Sequence, residues 1–133
     1  MKIIIYSDGG ARGNPGPSGI GAVLKNEAGE ILKEVSEYIG VATNNQAEYK
    51  AIIRALEEAK KIGAIFVEAN LDSELVVKQL NGQYKVKNPG LAPFFLQIYN
   101  LRQSFEKIIF KHIRREFNAE ADKLANDAMD KGR

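Results

Sequence analysis

Three strand-patterned segments follow one another before any helical periodicity begins, and that order commits the chain to open with an antiparallel sheet. Lys2-Ile3-Ile4-Ile5-Tyr6-Ser7-Asp8 is an apolar, β-branched run that reads as a buried strand. Residues 9–19 are rich in glycine and proline and read as a turn. Residues 20–26 and 30–39 read as two further strands, joined as a hairpin at Asn26-Glu27-Ala28-Gly29.

Helical signals follow. Thr43-Asn44-Asn45-Gln46 has the form of a capping box, in which a threonine and a glutamine satisfy each other's free backbone N–H groups. Ala47, Ala51, Ile52, Ala55, Leu56, Ala59 and Ile62 then recur at helical spacing until Gly63. Residues 65–71 read as a fourth strand, and Ser73 caps a short helix to about Leu80. The stretch from Asn81 to Pro93 reads as a loop, 94–106 as a helix, 108–113 as a fifth strand, and 118–131 as a last helix capped by Asn118. The order βββ-α-β-α-α-β-α implies an α/β fold: a five-stranded mixed sheet whose first three strands are antiparallel, with helices on both faces. The 133 residues suit a single domain with no internal linker or repeat.

Composition removes several chemistries. There is no cysteine, which excludes disulfides, thiolate metal sites and thiol catalysis, and the single histidine, His112, excludes a histidine-rich zinc site. A metal would need oxygen ligands, which favours Mg²⁺ or Mn²⁺. The net charge of +2 and pI of 8.8 permit an anionic partner without demanding one. No apolar run approaches the roughly 20 residues that span a bilayer. The N-terminus enters a strand pattern at once, so a cytoplasmic protein without a signal peptide is expected, and a monomer is the default.

Four acids stand where acids are rare. Asp8 and Asp72 end apolar strand runs; Glu48 and Asp122 lie on the apolar stripes of two helices, Glu48 four before Ile52 and Asp122 three before Ala125. Each has an ordinary explanation singly. Asp8 could start a turn, Asp72 could neighbour a cap, and Glu48 and Asp122 could serve a helix dipole. Jointly they require four carboxylates to face inward, which is costly unless cations neutralise them. Two divalent ions about 4 Å apart would do so, the arrangement suited to in-line displacement at phosphorus.

These residues resemble a known family, ribonuclease H type 1. The resemblance is carried by Asp8-Gly9-Gly10-Ala11-Arg12-Gly13-Asn14-Pro15-Gly16, Thr43-Asn44-Asn45-Gln46-Ala47-Glu48, Asp72-Ser73 and Asn118-Ala119-Glu120-Ala121-Asp122-Lys123-Leu124-Ala125, and covers essentially the whole chain. It implies the RNase H-like fold over residues 1–133 and an endonuclease that cuts the RNA strand of an RNA/DNA hybrid, leaving 5′-phosphate and 3′-hydroxyl ends, with two Mg²⁺ or Mn²⁺ ions. It further implies that Asp8 bridges both metals, that Glu48 and Asp72 hold the ion near the leaving oxygen, and that Asp122 holds the ion that activates water. Gly9, Asn14, Thr43, Asn44, Asn45 and Ser73 match positions at the substrate. Asparagine can donate and accept in a minor groove and so read a 2′-hydroxyl; Thr43 at a helix start suits a phosphate.

The chain departs from many members in two places. Residues 108–113 run straight into Arg114-Arg115-Glu116-Phe117-Asn118, with no room for the histidine-bearing loop of many bacterial relatives. His112 is therefore expected in the strand, and Arg115 is the candidate near the scissile phosphate. The basic protrusion is reduced to Lys78, Tyr84, Lys85 and Lys87, which resembles the compact, archaeal-like form. Two other readings stay open: a relative that also cuts RNA/RNA duplexes, and a non-catalytic hybrid-binding module.

Overall fold

The structure, a computed structural model, describes residues 1–132. Five strands, β1 (Lys2–Ala11), β2 (Gly16–Lys25), β3 (Ile31–Ala42), β4 (Phe66–Leu71) and β5 (Lys107–His112), form one sheet in the order β3-β2-β1-β4-β5. The first three are antiparallel, while β4 runs parallel to β1 and β5 parallel to β4. The helices are α1 (Asn44–Ile62), α2 (Glu74–Leu80), α3 (Ala92–Arg102) and α4 (Ala119–Lys131), with a short 3-10 turn at Arg115–Phe117. Helices cover both faces, as expected: α1 lies over the face of β1 that carries Ile3, Ile5 and Gly9, and α4 over the face of Gly10, Gly19 and Gly21. Among the described residues no helix is long and apolar enough to cross a membrane.

The glycine-rich opening is strand rather than turn. β1 continues past Asp8 to Ala11 and β2 begins at Gly16, which leaves only residues 12–15 as the turn. The glycines serve packing. A Cβ on Gly9 would collide with the Ala47 carbonyl of α1, and one on Gly21 with the Ala121 carbonyl of α4. Two helices thus come down onto bare strand backbone. The turn reading holds for Gly13, whose φ is +101°, but not for Gly9, Gly10, Gly19 and Gly21, which lie in the strands.

α1 starts as the sequence implies: the Thr43 hydroxyl accepts from Gln46 N–H at 3.1 Å and Gln46 Oε1 accepts from Thr43 N–H at 3.0 Å. Its apolar stripe, including Ile52, Leu56 and Ala59, is buried against the sheet with Ile3, Ile5 and Leu24. Other boundaries shift. α3 starts at Ala92 because Pro93 falls in the first turn, where its missing N–H is no loss. It ends at Arg102, after which Phe105 folds back into the core. Asn118 precedes α4 but makes no side-chain capping bond, so the expected cap is absent.

Candidate active site

The parallel ladder between β1 and β4 runs from Lys2 opposite Phe66 to Ser7 opposite Leu71. Asp8 and Asp72 are the next residue on each strand. Asp72 lies beyond the end of β4, whereas Asp8 stays in β1, paired with Gly21 across the antiparallel side. The two acids therefore sit where β1 loses its parallel neighbour but keeps its antiparallel one. A gap of this kind at the carboxyl ends of strands is a usual place for a binding site in an open α/β sheet.

The helices deliver the other two acids. Because Gly9 lets α1 touch β1, Glu48 in the first turns of α1 reaches the strand end, and its Oε1 accepts from the Gly9 N–H at 3.2 Å. One carboxylate oxygen from each of Asp8, Glu48 and Asp72 lies within 4.8 Å of the other two. Asp122, in the first turn of α4, stands outside that trio but within hydrogen-bonding reach of the Asp8 carboxyl, which also meets that of Glu48. The structure thus gathers all four acids around Asp8.

Their electrostatics follow from this crowding. Burial pushes the Asp8 carboxyl up from 3.8 to about 7; the bond with Glu48 opposes the rise, while the charges of Asp72 and Asp122 add to it. Glu48 is likewise held well above the ordinary carboxylate range, first by burial and then by Asp8 and Asp72, against the pull of the Gly9 N–H. Glu48 Oε2 is buried without a hydrogen-bond partner. A buried carboxylate oxygen with no donor, set among three more carboxylates, is a site short of positive charge. An all-oxygen donor set of this kind fits a hard divalent cation.

Asp8 and Asp122 open onto a cleft of about 390 Å³ that is also lined by Gly9, Asn44 and Arg115, with Arg12 and Asn126. Asn14 and Asn44 form a clasp at its rim. Asn14 Oδ1 accepts from Asn44 N–H at 3.0 Å, and Asn44 Oδ1 accepts from Ala11 N–H at 2.8 Å. An N–H can only donate, so both carbonyl oxygens are committed and the two Nδ2 groups are left to face solvent as donors. Thr43 and Asn45 are half-buried beside them, Thr43 as the α1 cap. Ser73 caps α2, accepting from Val76 N–H at 3.3 Å.

Arg115 is exposed and reaches the cleft. His112 ends β5 as expected and does not line the cleft. The shortened basic segment gathers around Tyr84, whose ring lies 5.0 Å from Lys78 Nζ, beside a shallow depression lined by Lys85 and Lys87. Three residues of the site escaped the sequence reading. Arg12 is bound by Asp130 across the cleft rim, and Asn126 donates to the Asp122 carbonyl at 3.0 Å. The spacing of four from Asp122 puts Asn126 on the same helix face and was the available signal. The third is Asn118, whose amide turns toward Asp72.

Comparison with known proteins agrees with this geometry. A reverse transcriptase-like family model matches residues 6–128. The chain is 46% identical over 131 residues to a bifunctional protein of Mycobacterium tuberculosis, covering 98% of this chain and 36% of that protein. It is 43% identical over 129 residues to ribonuclease HI of Halobacterium salinarum, covering 97% of this chain and 65% of that one. It therefore spans about a third of the first relative's length and just under two thirds of the second's. LC11-RNase H1, isolated from compost by a metagenomic approach, has been crystallised in complex with an RNA/DNA hybrid. That structure superimposes with a TM-score of 0.93 at 51% identity, covering 97% of both chains. The sheet order, the four gathered acids and these full-domain matches lead to one assignment: the chain belongs to the ribonuclease H family, type 1.

Proposed function

We propose that this chain is a metal-dependent endonuclease that hydrolyses the RNA strand of RNA/DNA hybrids, leaving 5′-phosphate and 3′-hydroxyl ends. The observation that carries the reading is the carboxylate trio within 4.8 Å, with Asp122 joined to it through Asp8. Residues 1–133 act as one nuclease unit, a monomer of the cytoplasm, in this reading.

Asp8, Glu48, Asp72 and Asp122 would hold two Mg²⁺ or Mn²⁺ ions, and the unpartnered Glu48 Oε2 and the raised Asp8 and Glu48 carboxyls support that assignment. When bound, the ions supply activation of a water and stabilisation of the leaving 3′ oxygen. The chain's own residues do the positioning. Asp8, central among the acids, would face both ions; Glu48 and Asp72 would serve the leaving-group side and Asp122 the water side. Asn14 and Asn44 present amide donors at the rim, suited to minor-groove acceptors and a 2′-oxygen, which distinguishes RNA from DNA. Gly9, Thr43, Asn45 and Ser73 complete the substrate surface. Arg115 would stand beside the scissile phosphate, where a guanidinium can meet two of its oxygens.

The test is cleavage of matched RNA/DNA, RNA/RNA and DNA/DNA duplexes, labelled on either strand, with Mg²⁺, with Mn²⁺ and with EDTA. Loss of the hybrid's RNA strand alone, dependent on metal and leaving 5′-phosphates, is the expected result. Comparable cleavage of RNA/RNA would broaden the substrate. Hybrid binding in EDTA without cleavage in either metal would sink the nuclease reading in favour of a binding module.

A further inference from the structure

Asn118 occupies the cap position of α4, yet its side chain is engaged elsewhere. Its Nδ2 donates to the Ser7 carbonyl at 2.8 Å and to Asp72 Oδ2 at 3.0 Å. The residue is 1% exposed. An amide nitrogen carries two hydrogens, and here each has one acceptor. Both neighbours can only accept, which fixes the amide orientation; Oδ1 has no donor and gains nothing from a flip. The Asn118 carbonyl, meanwhile, accepts from Asp122 N–H at 3.0 Å. Three hydrogen bonds of one buried residue thus reach the strand that carries Asp8, the carboxylate of Asp72 and the backbone of Asp122.

Asp72 needs such a partner. Asp8 and Glu48 are buried and held by the elements around them, but Asp72 is only half-buried and lies just past its strand. Unrestrained, a carboxylate in that place would swing to solvent, away from three like charges. A hydrogen bond to an ionised oxygen is strong enough to hold it. An amide supplies that bond without a positive charge. A lysine or arginine there would hold Asp72 equally well but would compete with a cation for the cluster.

We propose that Asn118 is a positioning residue of the carboxylate site. Its side chain ties Asp72 Oδ2 to the Ser7 carbonyl of β1 and so keeps that carboxylate at the cluster. The proposal rests on the nuclease reading above and adds a residue through which that site is built.

The experiment is a double-mutant cycle on the whole chain, with Mn²⁺ affinity read by titration calorimetry and hybrid cleavage read in a single turnover. Wild type, Asn118→Ala, Asp72→Asn and the double variant are compared. Loss of an outer hydrogen-bond partner typically weakens metal binding about 10- to 100-fold, and that is the loss expected for Asn118→Ala, with cleavage recovering as Mn²⁺ is raised. In the Asp72→Asn background the same change should add no more than about twofold, because it acts through Asp72. Losses that multiply in the double variant, or unchanged Mn²⁺ affinity in Asn118→Ala, would overturn the proposal and leave Asn118 a structural tie. A wild type that neither binds Mn²⁺ nor cleaves would overturn the nuclease reading and this proposal with it, and that outcome is read before any variant is made. If Asn118→Ala fails to fold, Asn118→Ser carries the same cycle. Serine is a favoured cap residue but lacks the second hydrogen needed to bridge both acceptors.

Discussion

Replacing Asp8 by asparagine tests the electrostatics through stability rather than activity. Asp8 is 7% exposed and its carboxyl is pushed up from 3.8 to about 7. Between those two values the folded chain holds a proton that the unfolded chain has released. The contribution of Asp8 to stability is therefore fully present below about pH 4 and is lost as pH rises through about 7. Each pKa unit is worth about 1.4 kcal/mol, so ionising Asp8 without a cation costs on the order of 4 kcal/mol. Glu48 titrates together with Asp8, so the pair shares this cost and removing one charge recovers only part of it. Asparagine keeps the shape and removes the charge. In EDTA at pH 8 the Asp8→Asn variant should be more stable by about 1–3 kcal/mol, a rise in Tm of about 3–10 °C for a chain of this size. At pH 5, where wild type keeps its proton at this site, the gain should shrink below about 1 kcal/mol. Thermal unfolding followed by circular dichroism at the two pH values reads both numbers. A variant less stable than wild type at pH 8 in EDTA would mean that the ionised carboxylate is well paired within the protein, and the reasoning would be wrong. Cleavage by the variant should be abolished, and full activity would remove Asp8 from the ligand set.

Three further outcomes follow from the same geometry. Mn²⁺ affinity should weaken as pH falls from 8 to 5, since protons compete for the raised carboxyls of Asp8 and Glu48; calorimetry showing a flat profile would contradict this. Gly21→Val should cost more than about 3 kcal/mol in urea unfolding, because its side chain would enter the Ala121 carbonyl and force α4 off the sheet; an unchanged midpoint would show that α4 can yield. Asn44→Asp keeps the acceptor for Ala11 N–H, so the fold should hold, but it loses the outward donor and adds a charge beside the phosphates; hybrid affinity in Ca²⁺ should drop at least about tenfold, and an unchanged affinity would show that Asn44 does not face the duplex.

What could be read from the sequence was what depends on neighbours along the chain or on improbable chemistry. The capping box is a local device, so Thr43 and Gln46 announce it within four residues, and the structure forms both bonds. The four acids stood out because burying a carboxylate is costly wherever the rest of the chain goes. Glycine was misleading because its composition signal is the same for a turn and for a close helix contact. Only the packed structure shows α1 against Gly9 and α4 against Gly21. Asn118 was misread for a related reason. An asparagine before a helix is ordinarily a cap, and its use across 46 residues of sequence to reach Asp72 depends on the meeting of β1, β4 and α4, which no local pattern encodes. Pro93 and Phe105 moved the ends of α3 by the same logic: a first-turn proline is compatible with a helix, and an aromatic past the end was drawn to the core.

The most direct test of the central claim is location of the cation itself. Crystals grown with Mn²⁺ and measured at the manganese absorption edge would give anomalous peaks wherever the ion resides. Manganese is expected between the carboxylates of Asp8, Glu48 and Asp72, with a second peak between Asp8 and Asp122 when hybrid is present. Peaks only at other carboxylates, with Asp8 and Glu48 bare and sharing a proton, would contradict the claim.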